Sequence, residues 1–272
     1  MPAIQSLKKQ LRGIKSTQKI TKAMKTVATV KFSQLNAVYA QYAEYGERCS
    51  SVYSKFGAAM LDTVRASDEN APAAVVIMAS NKGLCGSFNS ELLNFAAAEL
   101  EKLGEHIIIA CGKMAIAHFR EKNISVAKEY VFEDVPDHSE SRRLLDDLIC
   151  WRLAGKISRV FVIYPDYKNM MKQIPAIREL FAPVEDCGED MTLLVPDRNT
   201  VVEKTAKPVF HAILHKLILE TAVGAQAATL MTMRSAYDTA SDYCEQLEGE
   251  INRKRQSSVT ADVLETAGEH EE

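Results

Sequence analysis

Apolar and polar positions divide the chain into three stretches with different periods. Between residues 3 and 71 apolar or aromatic side chains recur at steps of three and four: Leu7, Leu11 and Ile14, then Leu35, Val38, Tyr42, Tyr45, Cys49, Val52, Phe56 and Met60. This spacing keeps one stripe of a helix apolar, as in the seam of a coiled coil. Helix breakers are few, only Gly13, Gly46 and Gly57. Between residues 209 and 272 the pattern returns with Phe210, Leu214 and Leu217, then Ala228, Met231, Tyr243, Leu247 and Ile251. From Thr221 to Ala228 the side chains are mostly small, which lets two helices approach closely. A helix over residues 3–66 would be about 95 Å long. A compact chain of this length has a radius of gyration of about 19 Å. Such a helix must protrude. Two helices leaving the two ends of one middle domain together run antiparallel, so the pattern predicts an antiparallel coiled coil built from both termini. A break at Gly13 or Gly46, or near Gly224 or Gly249, would instead fold these segments into a bundle.

The middle stretch alternates strands with helices. Ala73–Ser80 (AAVVIMAS) and His106–Gly112 (HIIIACG) read as buried strands, and Ser90–Leu103 and Lys113–Lys122 as the helices that follow them. Ser125–Phe132 is a weaker strand, Ser139–Leu153 a helix, and Arg159–Tyr164 a third clear strand, followed by an extended stretch through Met170, Ile174 and Ile177. The expectation is a Rossmann-like α/β domain with a largely parallel sheet. Prolines support the partition, since all eight fall at Pro2 or between Pro72 and Pro208. The expected domains are residues 1–70, a helix; 71–205, the α/β domain; and 206–272, a second helix.

Composition changes this picture little. With 272 residues, 47% hydrophobic and 25% charged, the chain is an ordinary globular protein. Six scattered cysteines form no CxxC pair, and neither a disulfide framework nor a zinc site is indicated. No window approaches the roughly 20 apolar residues of a membrane span. Charge is more informative. The net charge is −3, yet no acidic residue precedes Glu44. Lys8, Arg12, Lys15, Lys19 and Lys22 follow one another at steps of 4, 3, 4 and 3, which sets them on one helical face beside the seam. A solvated face would need fewer cations, so a negatively charged partner surface is favoured.

Candidate chemistry is sparse. The segment Asn81-Lys82-Gly83-Leu84-Cys85-Gly86 sits between a strand and a helix, where phosphate sites form, but it lacks the spacing of a dinucleotide or P-loop motif. A tight turn accounts for its glycines. His211 and His215 stand one helical turn apart with no acidic or cysteine partner to complete a metal site. No catalytic residue, metal or cofactor is expected.

Ile14-Lys15-Ser16-Thr17-Gln18-Lys19-Ile20-Thr21-Lys22-Ala23-Met24-Lys25, with Val27-Ala28 and Lys31, resembles the N-terminal signature of the gamma subunits of F-type ATP synthases. Ser80-Asn81-Lys82-Gly83-Leu84-Cys85-Gly86 is similar to that family's motif after its first middle-domain strand, and Asn252-Arg253-Lys254-Arg255-Gln256 with Val259-Thr260 to its C-terminal motif. The resemblance implies a non-catalytic rotor shaft, one copy per complex. Its coiled coil stands in a ring of alpha and beta subunits, and its foot grips the epsilon subunit and a membrane ring of c subunits. It also implies that Met24 and Lys25 face an acidic loop of beta, and that Arg255, Gln256 and Thr260 approach the collar of the ring. Neither nucleic acid nor nucleotide is an expected ligand of the chain itself. The chain enters amphipathic sequence directly after Met1-Pro2-Ala3, which suggests a bacterial enzyme on the cytoplasmic face of the plasma membrane.

Four departures stand out. Asn81 replaces the family's usual Asp. Ala225 and Thr229 occupy positions where the family commonly has an acidic residue and an Arg. Asp262 replaces a Glu. The end Gly268-Glu269-His270-Glu271-Glu272 is acidic where the family ends in small apolar residues, and burying these carboxylates would be costly. A solvated tail is expected, and deletion of 269–272 should leave coupling nearly unchanged. The alternatives are a gamma-like paralogue with altered coupling, a coiled-coil nucleic-acid-binding protein whose basic row tracks phosphates, and a nucleotide-binding enzyme that uses the Gly83–Gly86 loop.

Overall fold

The computed structural model describes residues 2–184 and 195–268, with side chains described for 4–184 and 195–260. The C-terminal residues 269–272 and Cys187 lie outside the described residues, and so do the side chains of Asp262 and Glu265. The elements run α1 (Pro2–Asp62), β1 (Ala73–Met78), α2 (Phe88–Lys102), β2 (His106–Cys111), α3 (Lys113–Glu121), β3 (Lys128–Tyr130), α4 (His138–Leu153), β4 (Val160–Asn169), β5 (Lys172–Glu179) and α5 (Arg198–Gly268). They divide into two compact units, Val30–Thr229 and Met1–Thr29 with Leu230–Glu272.

Within Val30–Thr229 a five-stranded sheet has the order β3-β2-β1-β4-β5. β3, β2, β1 and β4 are parallel. β1 is apolar at every position because both of its faces are covered. Ala74, Val76 and Met78 pack toward α4, α5 and the end of α1, whereas Val75, Ile77 and Ala79 pack toward α2 and α3. Gly112 links β2 to α3 at φ 91°, where a Cβ would stand 2.1 Å from the Ala79 carbonyl oxygen. No other residue fits that approach.

Three elements differ from the sequence reading. The third clear strand continues to Asn169 and turns back as β5, antiparallel, so the extended stretch through Ile174 and Ile177 is an edge strand. Pro175 is tolerated there because an edge leaves one side of the strand unpaired. The weaker strand shrinks to Lys128–Tyr130 at the other edge, where charged residues suit an open side. α5 starts at Arg198, ahead of the boundary expected at 206. Asp197 caps it, accepting from the Thr200 amide at 2.9 Å and the Thr200 hydroxyl at 2.8 Å, and the helix continues through Pro208.

From Val209 to Ala227 α5 is buried on nearly every side, as a helix enclosed by other elements must be. One side meets the sheet and another meets α1. Tyr53 sets its ring edge-on to Phe210 at 5.4 Å and donates its hydroxyl to the Ala182 carbonyl at 2.5 Å; Tyr39 donates to Glu220 at 3.0 Å. Partners on α5 fall in number as those on α1 rise, so α1 and α5 run antiparallel in this unit.

In the other unit the same holds. Lys15 pairs with Glu248 at 2.6 Å, Gln18 donates to the Ser241 hydroxyl at 2.8 Å, and Lys25 lies 5.0 Å from the centre of the Tyr237 ring.

The less exposed positions of α1 include Leu7, Leu11, Ile14, Gln18, Thr21, Lys25, Ala28, Phe32, Leu35, Tyr39, Tyr42, Gly46, Cys49, Tyr53, Phe56 and Met60, a heptad pattern along most of the helix. Val38, Tyr45 and Val52, read as seam residues from the sequence, are exposed; Tyr39, Gly46 and Tyr53 occupy the seam instead. On α5 Tyr243 is exposed and Cys244 buried. A seam that accepts glycine, tyrosine and lysine cannot be placed by hydrophobicity alone.

Candidate functional site

The basic row stands as the spacing requires. Lys8, Arg12, Lys15, Lys19 and Lys22 are all exposed on α1. Lys15 is held by Glu248, and the hydrogen bond to Glu248 holds its ammonium above the usual lysine range. The row is thus tied to α5 at one point.

Met24 and Lys25 part company. Met24 faces out, whereas Lys25 turns into the helix pair and lays its ammonium over Tyr237. Met24 has apolar company that the sequence reading missed: Ile20 is 58% exposed and Val27 55%. Ile20, Met24 and Val27 follow at steps of four and three, so they share one face. Their signal was present in the sequence but was absorbed into the general apolar pattern. Arg255, Gln256 and Thr260 are exposed on α5, and Thr260 returns its hydroxyl to the Gln256 carbonyl at 2.9 Å.

The loop after β1 is a lock between elements of its own unit. Asn81 donates to the Phe132 carbonyl at 2.5 Å and accepts from the Lys113 amide at 3.3 Å. Lys82 pairs with Asp134 at 3.0 Å, and Lys31 of α1 reaches the same carboxylate. These two ammonium groups, Lys31 first, hold the Asp134 carboxyl below the usual range. Leu84 and Gly86 adopt φ of 64° and 61°, and Gly83 precedes them in the exposed tip. Cys85 is buried against Phe88 and Ala225, and burial pushes its thiol up. Ser80 and Asn89 close the base of the loop: the Ser80 amide donates to Asn89 at 3.1 Å, and Asn89 donates to the Ser80 hydroxyl at 2.8 Å.

This geometry explains two departures. Asn at position 81 supplies both a donor and an acceptor, which Asp cannot do when ionised. Ala225 is buried beside Cys85, and Thr229 donates to the Ala225 carbonyl at 2.8 Å, so an acidic side chain at 225 would enter a packed site. Ala225, Thr229, Asn81 and Lys82 line one small cavity of about 50 Å³.

Sequence reading paired His211 with His215 alone. The fold brings a third imidazole, His138, at the start of α4. Nothing in the sequence connects positions so far apart.

Comparison with known proteins extends the match to nearly the whole chain. The family model described as ATP synthase matches residues 3–269. The ATP synthase gamma chain of Rhodopirellula baltica is 26% identical over 98% of both chains, and that of Pelotomaculum thermopropionicum is 27% identical over the same shares. Among solved structures, a chain of the Euglena gracilis mitochondrial ATP synthase, OSCP/F1/c-ring in rotational state 3, superposes with a TM-score of 0.66 at 17% identity, covering 98% of this chain and 93% of that one. A chain from the rotor of the same complex in rotational state 1 gives 0.63 over 95% and 99%. With its helices, sheet and three motifs inside a match from residue 3 to residue 269, the chain belongs to the ATP synthase gamma-chain family.

Proposed function

We propose that the chain is the central rotor shaft of an F-type ATP synthase and couples rotation of a membrane ring to the catalytic ring through contacts, with no reaction chemistry of its own. Membership of an ATP-synthesising complex follows from the family. The observation that carries the finer reading is the exposed surface of α1, which carries a basic row, Lys8, Arg12, Lys15, Lys19 and Lys22, along one face and the apolar stripe Ile20, Met24 and Val27 on another, further along the helix. An exposed apolar stripe on a helix that also carries an uncompensated basic row suits a surface enclosed by a partner.

In this reading that surface opposes the alpha and beta subunits, with Arg255, Gln256 and Thr260 meeting the same ring from α5. The α/β domain meets the epsilon subunit and the c ring on the cytoplasmic face of a bacterial plasma membrane. Coupling is differential contact: each orientation of an asymmetric shaft favours one conformation of each surrounding subunit, and nucleotide affinity changes with it. The loop Asn81–Gly86 serves as an internal brace, since Lys82 is engaged by Asp134 and Asn81 by backbone. The nucleic-acid and nucleotide alternatives leave that bracing unexplained.

Co-expression with cognate alpha and beta subunits tests the proposal. One copy of the chain in each active hexameric ring is the expected result. A folded chain that never enters a ring would sink it.

A further inference from the structure

His138, His211 and His215 each bring a ring nitrogen within 4.8 Å of the other two. Among the described residues this is the one group of three metal-ligating side chains so arranged. His211 and His215 are one turn apart on α5, a spacing that presents two imidazoles on one face. His138 comes from α4, held by the cap in which Asp137 accepts from the Ser139 amide at 3.2 Å. All three belong to the Val30–Thr229 unit.

The orientation is that of an organised site. His211 Nε2 and His215 Nδ1 converge on the Ser141 hydroxyl, at 2.8 and 2.9 Å. That hydroxyl donates to the His138 carbonyl at 3.1 Å. Tyr42 sets its ring edge-on to His215 at 4.8 Å and fixes that imidazole from the α1 side. His138 is exposed, stacks on His215 at 4.2 Å and lines, with Tyr42, Arg142, Lys207 and His211, an open groove of about 500 Å³.

We propose that His138, His211 and His215 bind a divalent first-row transition ion of the zinc class, which staples the start of α4 to α5. Imidazole nitrogens suit Zn²⁺, Co²⁺, Ni²⁺ and Cu²⁺ and discriminate against Mg²⁺ and Ca²⁺, which take oxygen ligands. Tetrahedral coordination at 2.0–2.1 Å sets ligand nitrogens about 3.3 Å apart. The triad therefore closes by roughly 1.5 Å, a movement available to His138 because it is exposed at the first residue of its helix. The fourth position faces the groove, where water can fill it.

The test uses the full chain without a histidine tag. Equilibrium dialysis with Zn²⁺ should give one saturable ion per chain, retained in excess Mg²⁺. Co²⁺ should develop the visible d–d bands of a low-symmetry site. Zn²⁺ should raise the melting temperature, because it binds the folded chain selectively. His138→Ala and His211→Ala should each weaken binding by about tenfold or more and abolish the thermal shift, while His106→Ala leaves both intact. His138→Ala changes an exposed side chain, so it keeps the test decisive even if His211→Ala folds poorly. Absence of saturable Zn²⁺ binding, or equal affinity in wild type and folded His138→Ala, would overturn the proposal; that second result would assign the ion to other groups such as the exposed Cys150.

Discussion

The side-chain amide of Asn81 donates to the carbonyl of Phe132 at 2.5 Å while its oxygen accepts from the Lys113 amide at 3.3 Å. One residue thereby ties the loop after β1 to the segment following β3 and to the first turn of α3. Asn81→Asp keeps the acceptor and sets an ionised carboxylate against a carbonyl oxygen. The expected loss is about 1–2 kcal/mol of unfolding free energy, the cost of a partner removed from a partly buried polar group. Urea denaturation at neutral pH measures it. Equal midpoints for the two chains would mean that the bond contributes nothing.

Met24 sits on the outer face between Ile20 and Val27, and its side chain supports no buried cluster. Met24→Lys places a cation within the apolar stripe and interrupts it. Ring assembly and ATP hydrolysis should stay within about twofold of wild type, since surface changes usually alter stability by less than about 0.5 kcal/mol. ATP-driven ion pumping in vesicles should fall by a larger factor. Unimpaired pumping at normal assembly would remove this face from the coupling surface.

Glu220 is buried in α5, and burial pushes its carboxyl above the usual range. The Tyr39 hydroxyl and Lys216, whose Nζ is 4.0 Å away, offset only part of that. The folded chain thus keeps this proton to higher pH than the unfolded chain does. Stability from the group is complete below the unfolded value of about 4.3 and falls as pH rises toward the raised folded value. Glu220→Gln still accepts from Tyr39 and cannot ionise. Its melting temperature relative to wild type should therefore climb between pH 4 and pH 8. A difference independent of pH would show that Glu220 titrates normally.

Phe210 is fully buried where α5 crosses the sheet, with Tyr53 at 5.4 Å and Phe181 at 4.9 Å edge-on to its ring. Phe210→Ala should cost about 3–5 kcal/mol, from lost burial and the cavity left behind. Thermal unfolding of the isolated chain reads this directly, and a loss under 1 kcal/mol would mean the site collapses around alanine.

The paired helices were legible because a seam that repeats over many turns survives local irregularity. Its register was not. Val38, Tyr45 and Val52 are as apolar as seam residues should be, yet Tyr39 is drawn inward by Glu220 and Tyr53 by Phe210. Gly46 enters because the Lys216 stem crosses there, its Cδ 2.9 Å from where a Cβ would be. Each choice depends on what stands opposite. Likewise β4 and β5 read as one strand and an extended tail, since the turn at Met170 carries neither glycine nor proline.

By itself the sequence determined the order of elements, the basic face of α1 and the family, because these rest on local periodicity, charge spacing and contiguous motifs. Only the tertiary structure decided which residues meet across long separations. It turned Lys25 onto Tyr237, gave Asn81 its two backbone partners, sealed Ala225 against Cys85 and set His138 beside His211 and His215. Those outcomes follow from packing and hydrogen bonding between segments far apart in the chain, and periodicity holds no record of such neighbours.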